Sequence, residues 1–178
     1  MDKIVYESPL GPLLLAEENG HITEVSFMEA DTRKKFHQNA IDPSRVVSEK
    51  EAAINVSPVL KSCISELDAY FAGKLKKFTV PIKLDGTDFR KKVWAALMTI
   101  PYGETISYKE LAQRIGNPKA VRAVGGANHH NPISIIVPCH RVIGASGTLT
   151  GYGGGLNNKE FLIALEKDET HAMLDIKQ

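Results

Sequence analysis

Short apolar stretches around Val5, Leu13 and Leu15, punctuated by Pro9, Gly11 and Pro12, predict strands over the first 30 residues. Asn19-Gly20 lies between Leu13–Glu18 and His21–Phe27 and is a strong two-residue hairpin signal, because both turn positions tolerate positive φ. Residues 31–57 are polar and weakly patterned and read as loop or variable insertion. Leu60, Ile64, Leu67 and Phe71 then recur at helical spacing, predicting a helix over 57–72 that Gly73 ends. Cys63 borders that stripe as a small buried thiol. Lys74 to Leu84 reads as a basic linker running into a strand.

From Thr87 the period is helical. Phe89, Val93, Leu97 and Ile100 mark one face of a helix that starts at Thr87 or Asp88 and stops before Pro101. Ser107-Tyr108-Lys109-Glu110 predicts a capping box, with Ser107 as N-cap and Glu110 reaching back. The helix it opens places Tyr108, Leu111, Ala112 and Ile115 on one side, and Gly116 breaks it. Asn117 is positioned to cap a second helix with Pro118 at its first position. Two helices joined by a turn of about three residues make a helix-turn-helix pattern, which many proteins without DNA-binding roles share. On the second helix Ala120, Val121, Ala123, Val124 and Ala127 fall on one side, with Lys119, Arg122, Gly125 and Gly126 on the other. Two exposed helical glycines cost about 1 kcal/mol each relative to alanine. Either they fray the helix end, or they form a low-relief surface that lets a nucleic-acid groove approach the backbone, with Arg122 standing proud.

At 178 residues and 19.5 kDa, the chain has room for one large domain or two small ones, with 43% hydrophobic residues to fill a core. No apolar run is long enough to span a bilayer. The start at Met1-Asp2-Lys3 lacks signal-peptide character, and two cysteines suit a reduced, cytoplasmic protein. The formal net charge of +1 argues against a strongly basic nucleic-acid binder. Its distribution changes that picture. Residues 1–85 carry 11 Lys+Arg against 13 Asp+Glu, whereas residues 86–166 carry 9 against 5. A modestly basic C-terminal half behind an acidic N-terminal one predicts few phosphate contacts and a shallow salt dependence.

The candidate chemistry lies in that basic half. Ile133 to Val137 is an apolar run leading into Pro138-Cys139-His140-Arg141-Val142. Pro138 suits the first turn of a short helix, which would set Cys139 where backbone N–H groups and the helix dipole stabilise a thiolate. His140 is a base beside it. Adjacent side chains diverge, so a bridging water is the expected proton route between them. A Cys-His dipeptide alone arises readily by chance. Glu166, one turn after Leu162 on a final helix at 157–167 with Phe161 and Leu165, adds a carboxylate at the edge of an apolar face. It either pairs with Arg141 or a backbone N–H, or orients His140 as the third member of a nucleophilic triad. Residues 147–155 hold five glycines in a loop lined by backbone, without phosphate-loop spacing. His129, His130, Cys139 and His140 lack the gaps of a zinc site, so no metal is expected.

Residues 89–166 closely resemble the C-terminal domain of the O6-alkylguanine-DNA alkyltransferases. The segments that carry the resemblance are Ile100-Pro101-Tyr102-Gly103-Glu104-Thr105 with Ser107-Tyr108, then Ala123-Val124-Gly125, Asn131-Pro132, Pro138 to Val142, Gly151-Tyr152, Gly154-Gly155 and the helix to Glu166. Residues 1–85 are similar to the family only in layout. The resemblance implies an α/β, ribonuclease-H-like N-terminal domain over 1–85. Over 86–178 it implies a mainly α DNA-binding domain with a helix-turn-helix. It implies transfer of a methyl or small alkyl group from O6-alkylguanine, and O4-alkylthymine, to Cys139, irreversibly and once per molecule, with the base flipped out of the duplex. Cys139, His140, Glu166 and Asn131 would form the catalytic set: nucleophile, water-mediated base, orienting acid and hinge. Arg122, Tyr108, Ser107, Lys119, Gly125 and Gly126 would meet DNA, with Arg122 filling the vacated stack. Tyr108, Val142, Tyr152, Gly153 and Gly154 would line the base pocket. Gly153 stands where some relatives have serine, which removes one possible hydrogen bond. The implied protein is a monomer acting on double-stranded DNA, with no cofactor, metal or membrane. A thiol hydrolase and a module that flags damage without repairing it are the competing readings.

Overall fold

The computed structural model describes residues 1–29 and 56–168, so nearly all of the segment read as loop or insertion lies outside the described residues. The chain divides into two compact units, Met1–Leu84 and Asp85–Gln178: a small sheet domain and a helical domain.

In the first unit, β1 (Asp2–Ser8), β2 (Gly11–Glu18) and β3 (His21–Phe27) form an antiparallel meander, with β2 and β3 joined through Asn19-Gly20 as the hairpin signal predicts. Tyr6, Leu13, Leu15, Ile22 and Val25 are buried. Helix α1 (Pro58–Phe71) covers the sheet with Leu60, Cys63, Leu67 and Tyr70. Ser57 caps it, accepting from the Leu60 amide at 3.4 Å, and Pro58 occupies the first turn where an amide would be orphaned anyway. Tyr6 fastens sheet to helix by donating to Asp68 Oδ1 at 2.6 Å. The predicted strand after the basic linker is a correction. Only Ile82 bridges to Ile22, because Pro81 has no N–H to continue a ladder.

The second unit begins with α2 (Asp88–Leu97), capped by Thr87 Oγ1 at 3.2 Å from the Arg90 amide, and buries Val93, Trp94 and Leu97. β4 (Ile106–Ser107) leads directly into α3 (Tyr108–Arg114). Ser107 Oγ accepts from the Glu110 amide at 3.0 Å, but the capping box is only half formed, since Glu110 turns its carboxylate to Arg114 one helical turn away, at 2.8 Å.

Helix α4 (Val121–His129) starts later than the sequence suggests. Gly116, at φ +75°, closes α3 in a Schellman motif, with Asn117 N donating to Ala112 O and Gly116 N to Gln113 O. Asn117 therefore completes the end of one helix instead of capping the next. Residues 117–120 form a turn, and α4 opens at Ala120 with no side-chain cap. Its buried face is Val124, Ala127 and Asn128; Val121 and Ala123, expected inside, are exposed, because at roughly 100° per residue they stand at the two edges of that arc and the buried face is narrower than the apolar one. The helix runs on through Gly125-Gly126 to His129 without fraying there. Helices α2, α3 and α4 pack on one another, and Trp94 Nε1 donates to Ala127 O at 2.9 Å. A three-residue 3-10 turn (Cys139–Arg141), β5 (Val142–Ile143) and α5 (Leu156–Glu166) complete the unit.

Candidate active site

A two-residue parallel ladder assembles the site. Ile106 pairs with Val142 and Ser107 with Ile143, so the start of α3 lies beside the segment that follows Cys139. Upstream of Cys139, residues 133–137 form a tight turn that buries Ile133, Ile135, Ile136 and Val137, with Ile135 held at φ +73°. A β-branched residue in the left-handed region is strained by about 1–3 kcal/mol and persists only where its surroundings over-determine it. Asn131 supplies that constraint. Its Oδ1 accepts from Ile133 N at 3.0 Å, while its Nδ2 donates to Val137 O at 2.8 Å and to Cys139 Sγ at 3.1 Å.

Cys139 is 4% exposed. The helix expected around it is only the 3-10 turn, too short to carry a useful dipole, and burial pushes the thiol above its ordinary value. Asn131, the charge of Lys159 and the amides of Cys139 and His140 pull in the opposite direction without overcoming burial.

His140 and Glu166 are both buried, with Nε2 and Oε1 2.7 Å apart. Glu166 makes the contacts of both readings, to Arg141 and a backbone N–H as well as to His140. Arg141 donates through Nε to Oε2 at 2.8 Å and through Nη2 to Oε1 at 2.9 Å, and the Gly103 amide reaches Oε2 at 3.4 Å. Gly103 sits at φ +80° with Glu166 O only 3.0 Å from where a Cβ would stand, so no side chain fits. Burial alone would raise the Glu166 carboxyl, but hydrogen bonds and charge from His140 and Arg141 outweigh it and hold the group down at about 2. Burial lowers His140, partly offset by Glu166. Its Nδ1 is buried without a protein hydrogen-bond partner, which leaves one ring nitrogen for a water.

Tyr108 is half-buried, donates to Thr150 O at 3.1 Å, and stands near Gly125, whose absent Cβ would lie 3.9 Å from its ring. Tyr152 is buried, and Gly153 is exposed, 4.0 Å from His129 O at its would-be Cβ. Lys119, Arg122 and Gly126 are exposed on or beside α4. The predicted set thus divides into a buried cluster (Cys139, His140, Glu166, Val142 and Tyr152), with Asn131 half-buried at its edge, and half-buried or exposed residues around it. Ser107 bonds within its own helix.

Two residues escaped sequence reasoning. Asn128 is buried on α4 and donates from Nδ2 to Cys139 O at 3.3 Å; its place four residues after Val124 was the available signal. Lys159 is wholly buried, whereas Phe161, expected on the apolar face of α5, is only half-buried. Lys159 shares the helical stripe of Leu162 and Glu166, where a lysine is out of place. Among the described residues no cluster of three His, Cys, Asp or Glu is arranged to hold a metal, and no helix is long and apolar enough to cross a membrane.

A helical domain holding a buried thiol next to a buried histidine–carboxylate–arginine network defines the class of this protein. Residues 88–168 match the family described as 6-O-methylguanine DNA methyltransferase, DNA binding domain, and residues 1–84 match its ribonuclease-like domain. Methylated-DNA–protein-cysteine methyltransferase of Mycobacterium tuberculosis is 49% identical over 170 residues, covering 96% of this chain and 94% of that protein. The Methanosarcina acetivorans protein of the same name is 51% identical over 162 residues, covering 91% and 96%. The crystal structure of Mycobacterium tuberculosis OGT in complex with DNA superposes with a TM-score of 0.78 at 46% identity, over 95% of this chain and 94% of that one. The chain belongs to the O6-alkylguanine-DNA alkyltransferase family.

Proposed function

We propose that this chain repairs DNA by transferring a methyl or small alkyl group from O6-alkylguanine, and from O4-alkylthymine, to Sγ of Cys139, once per molecule. The observation that carries the reading is the Cys139 thiol itself, buried, bonded by Asn131 at 3.1 Å, and adjacent to the His140–Glu166 pair, in a chain of this family. Glu166 fixes His140 through Nε2, leaving Nδ1 to take the thiol proton through one water. The thiolate attacks the alkyl carbon; the S–C bond forms as the C–O bond breaks, and the electron pair passes to the base. In this reading the Tyr108 hydroxyl protonates the leaving guanine. The product is a thioether, a bond that water does not hydrolyse, so each molecule acts once.

An alkylated base edge is unreachable inside the stack, so the base is flipped out at a cost of a few kcal/mol. The α3–α4 pair acts as a helix-turn-helix, laying the low-relief Gly125-Gly126 surface and Lys119 against the duplex while Arg122 fills the vacated position. Val142, Tyr152, Gly153 and Gly154 receive the base, and Ser107 supports Tyr108 by capping its helix. The family layout supports assigning residues 1–85 to a ribonuclease-H-like α/β domain and 86–178 to the DNA-binding domain of a monomeric, cytoplasmic protein.

Incubation with an oligonucleotide duplex carrying O6-methylguanine, followed by peptide mass spectrometry, tests the reading. One methyl per molecule on the Cys139 peptide is expected, and none in Cys139→Ala, which keeps its affinity for DNA. Methyl transfer that survives in Cys139→Ala, or repeated turnover, overturns it.

A further inference from the structure

Six ionisable groups surround Cys139. His140 and Arg141 come from its own 3-10 turn, Tyr108 from α3, Tyr152 from the glycine loop, and Lys159 and Glu166 from α5. Glu166 and Arg141 cancel as a bidentate pair, and burial together with the Arg141 and Lys159 charges keeps His140 in its neutral form. That leaves Lys159. Its Nζ donates to Val142 O at 2.5 Å and to Thr150 O at 3.0 Å, and lies 5.8 Å from the centre of the Tyr108 ring. No carboxylate among the described residues bonds it. A buried ammonium held only by neutral carbonyls is costly unless an anion forms nearby. The anion at hand is the Cys139 thiolate: burial raises the thiol and lowers the lysine, and against that burial each group shifts the other toward its charged form.

We propose that Lys159 is a positioning residue that ties β5 to the glycine loop and holds a buried positive charge, unpaired with any carboxylate among the described residues, in the surroundings of Cys139. The proposal rests on Cys139 being the nucleophile of the transfer described above. Val142 O belongs to β5 and Thr150 O to the glycine loop, so one side chain joins those two segments and brings its charge to the surroundings of the sulfur. Tyr108 donates to the same Thr150 carbonyl, which places the lysine, the tyrosine and the loop in one bonded group.

Alkylation of Cys139 by iodoacetamide tests the charge without DNA, since the S–C bond forms as iodide leaves and only the thiolate reacts. The rate is followed across pH by mass spectrometry of the Cys139 peptide; Cys63, buried and pushed up to about 12, is scored separately on its own peptide. Lys159→Gln keeps donors for the two carbonyls but removes the charge. Its profile is expected to move up by about one pH unit or more, so that the rate near neutral pH falls about tenfold and rejoins the wild-type rate at high pH. Lys159→Arg, which keeps the charge, is expected to hold the wild-type midpoint. Should Lys159→Gln not fold, Lys159→Met carries the same expectation. A folded neutral variant with an unchanged midpoint, or one slowed equally at every pH, overturns the proposal. So does an arginine variant that shifts as far as the neutral one. Wild-type protein that reacts with iodoacetamide yet takes no methyl from O6-methylguanine DNA would instead overturn the repair reading.

Discussion

At Glu166 one carboxylate, its side chain 2% exposed, accepts from His140, Arg141 and the Gly103 amide. Removing its charge leaves the Arg141 guanidinium buried against an amide, and breaking a buried pair in this way costs about 3–5 kcal/mol. Glu166→Gln is therefore expected to lower unfolding stability by that amount in urea titrations as well as slowing transfer; a loss below about 1 kcal/mol would contradict the network. Arg122 is exposed and touches nothing that bears on folding. Arg122→Ala is expected to retain the unfolding midpoint and to slow repair in duplex DNA far more than transfer from a free O6-alkylguanine base. Equal slowing on both substrates would refute a role in extruding the base.

Among the elements, α4 separates what helps folding from what helps binding. Gly126 is helical and exposed, with open space where a Cβ would stand. Gly126→Ala is expected to stabilise the fold by up to about 1 kcal/mol while weakening duplex binding, because the added methyl stands on the face proposed to meet DNA. Improved or unchanged affinity in a gel-shift titration would place the DNA elsewhere. The same helix marks where sequence reasoning worked and where it stopped. The β2–β3 hairpin, α1, α2 and the start of α3 were legible because local signals decide them: Asn19-Gly20, the stripe from Leu60 to Phe71 ended by Gly73, Thr87 and Ser107. The start of α4 was not, since Asn117 serves either as an N-cap or as the closing amide of a Schellman motif, and packing chooses. Cys139, His140 and Glu166 were legible as residue types. Their mutual placement was not, because the β4–β5 ladder and the turn at Ile135 join segments that no local pattern links.

For the whole molecule, buried ionisable groups define a stability window in pH. His140 is lowered by burial, so below its ordinary value of 6.5 the unfolded chain takes up a proton that the folded one resists, and stability falls with pH. Glu166, depressed from 4.5 to about 2, adds its loss as pH falls through that interval. Cys63 acts at the other end. With its thiol raised from 9.0 to about 12, the unfolded state ionises first, and stability falls as pH rises through that range. Thermal unfolding midpoints are expected to form a plateau between about 6.5 and 9 and to drop on both sides, with Cys63→Ala flattening the alkaline limb. A limb that Cys63→Ala leaves unchanged would assign it to another group.

Trp94 is the only tryptophan in the chain, and it is 1% exposed. Its indole N–H is committed to Ala127 O, one residue before the asparagine that bonds the Cys139 carbonyl. The protein therefore carries an intrinsic fluorophore wired to the seat of α4. Emission from the native state is expected to be blue-shifted, as for an indole shielded from water. If an alkyl group on Sγ displaces Asn131 and the end of α4, the Trp94 hydrogen bond lengthens and the emission changes in step with the chemistry. Stopped-flow fluorescence would then time a single repair event without any label, and emission that stays constant while the Cys139 peptide gains its methyl would show that α4 holds its seat.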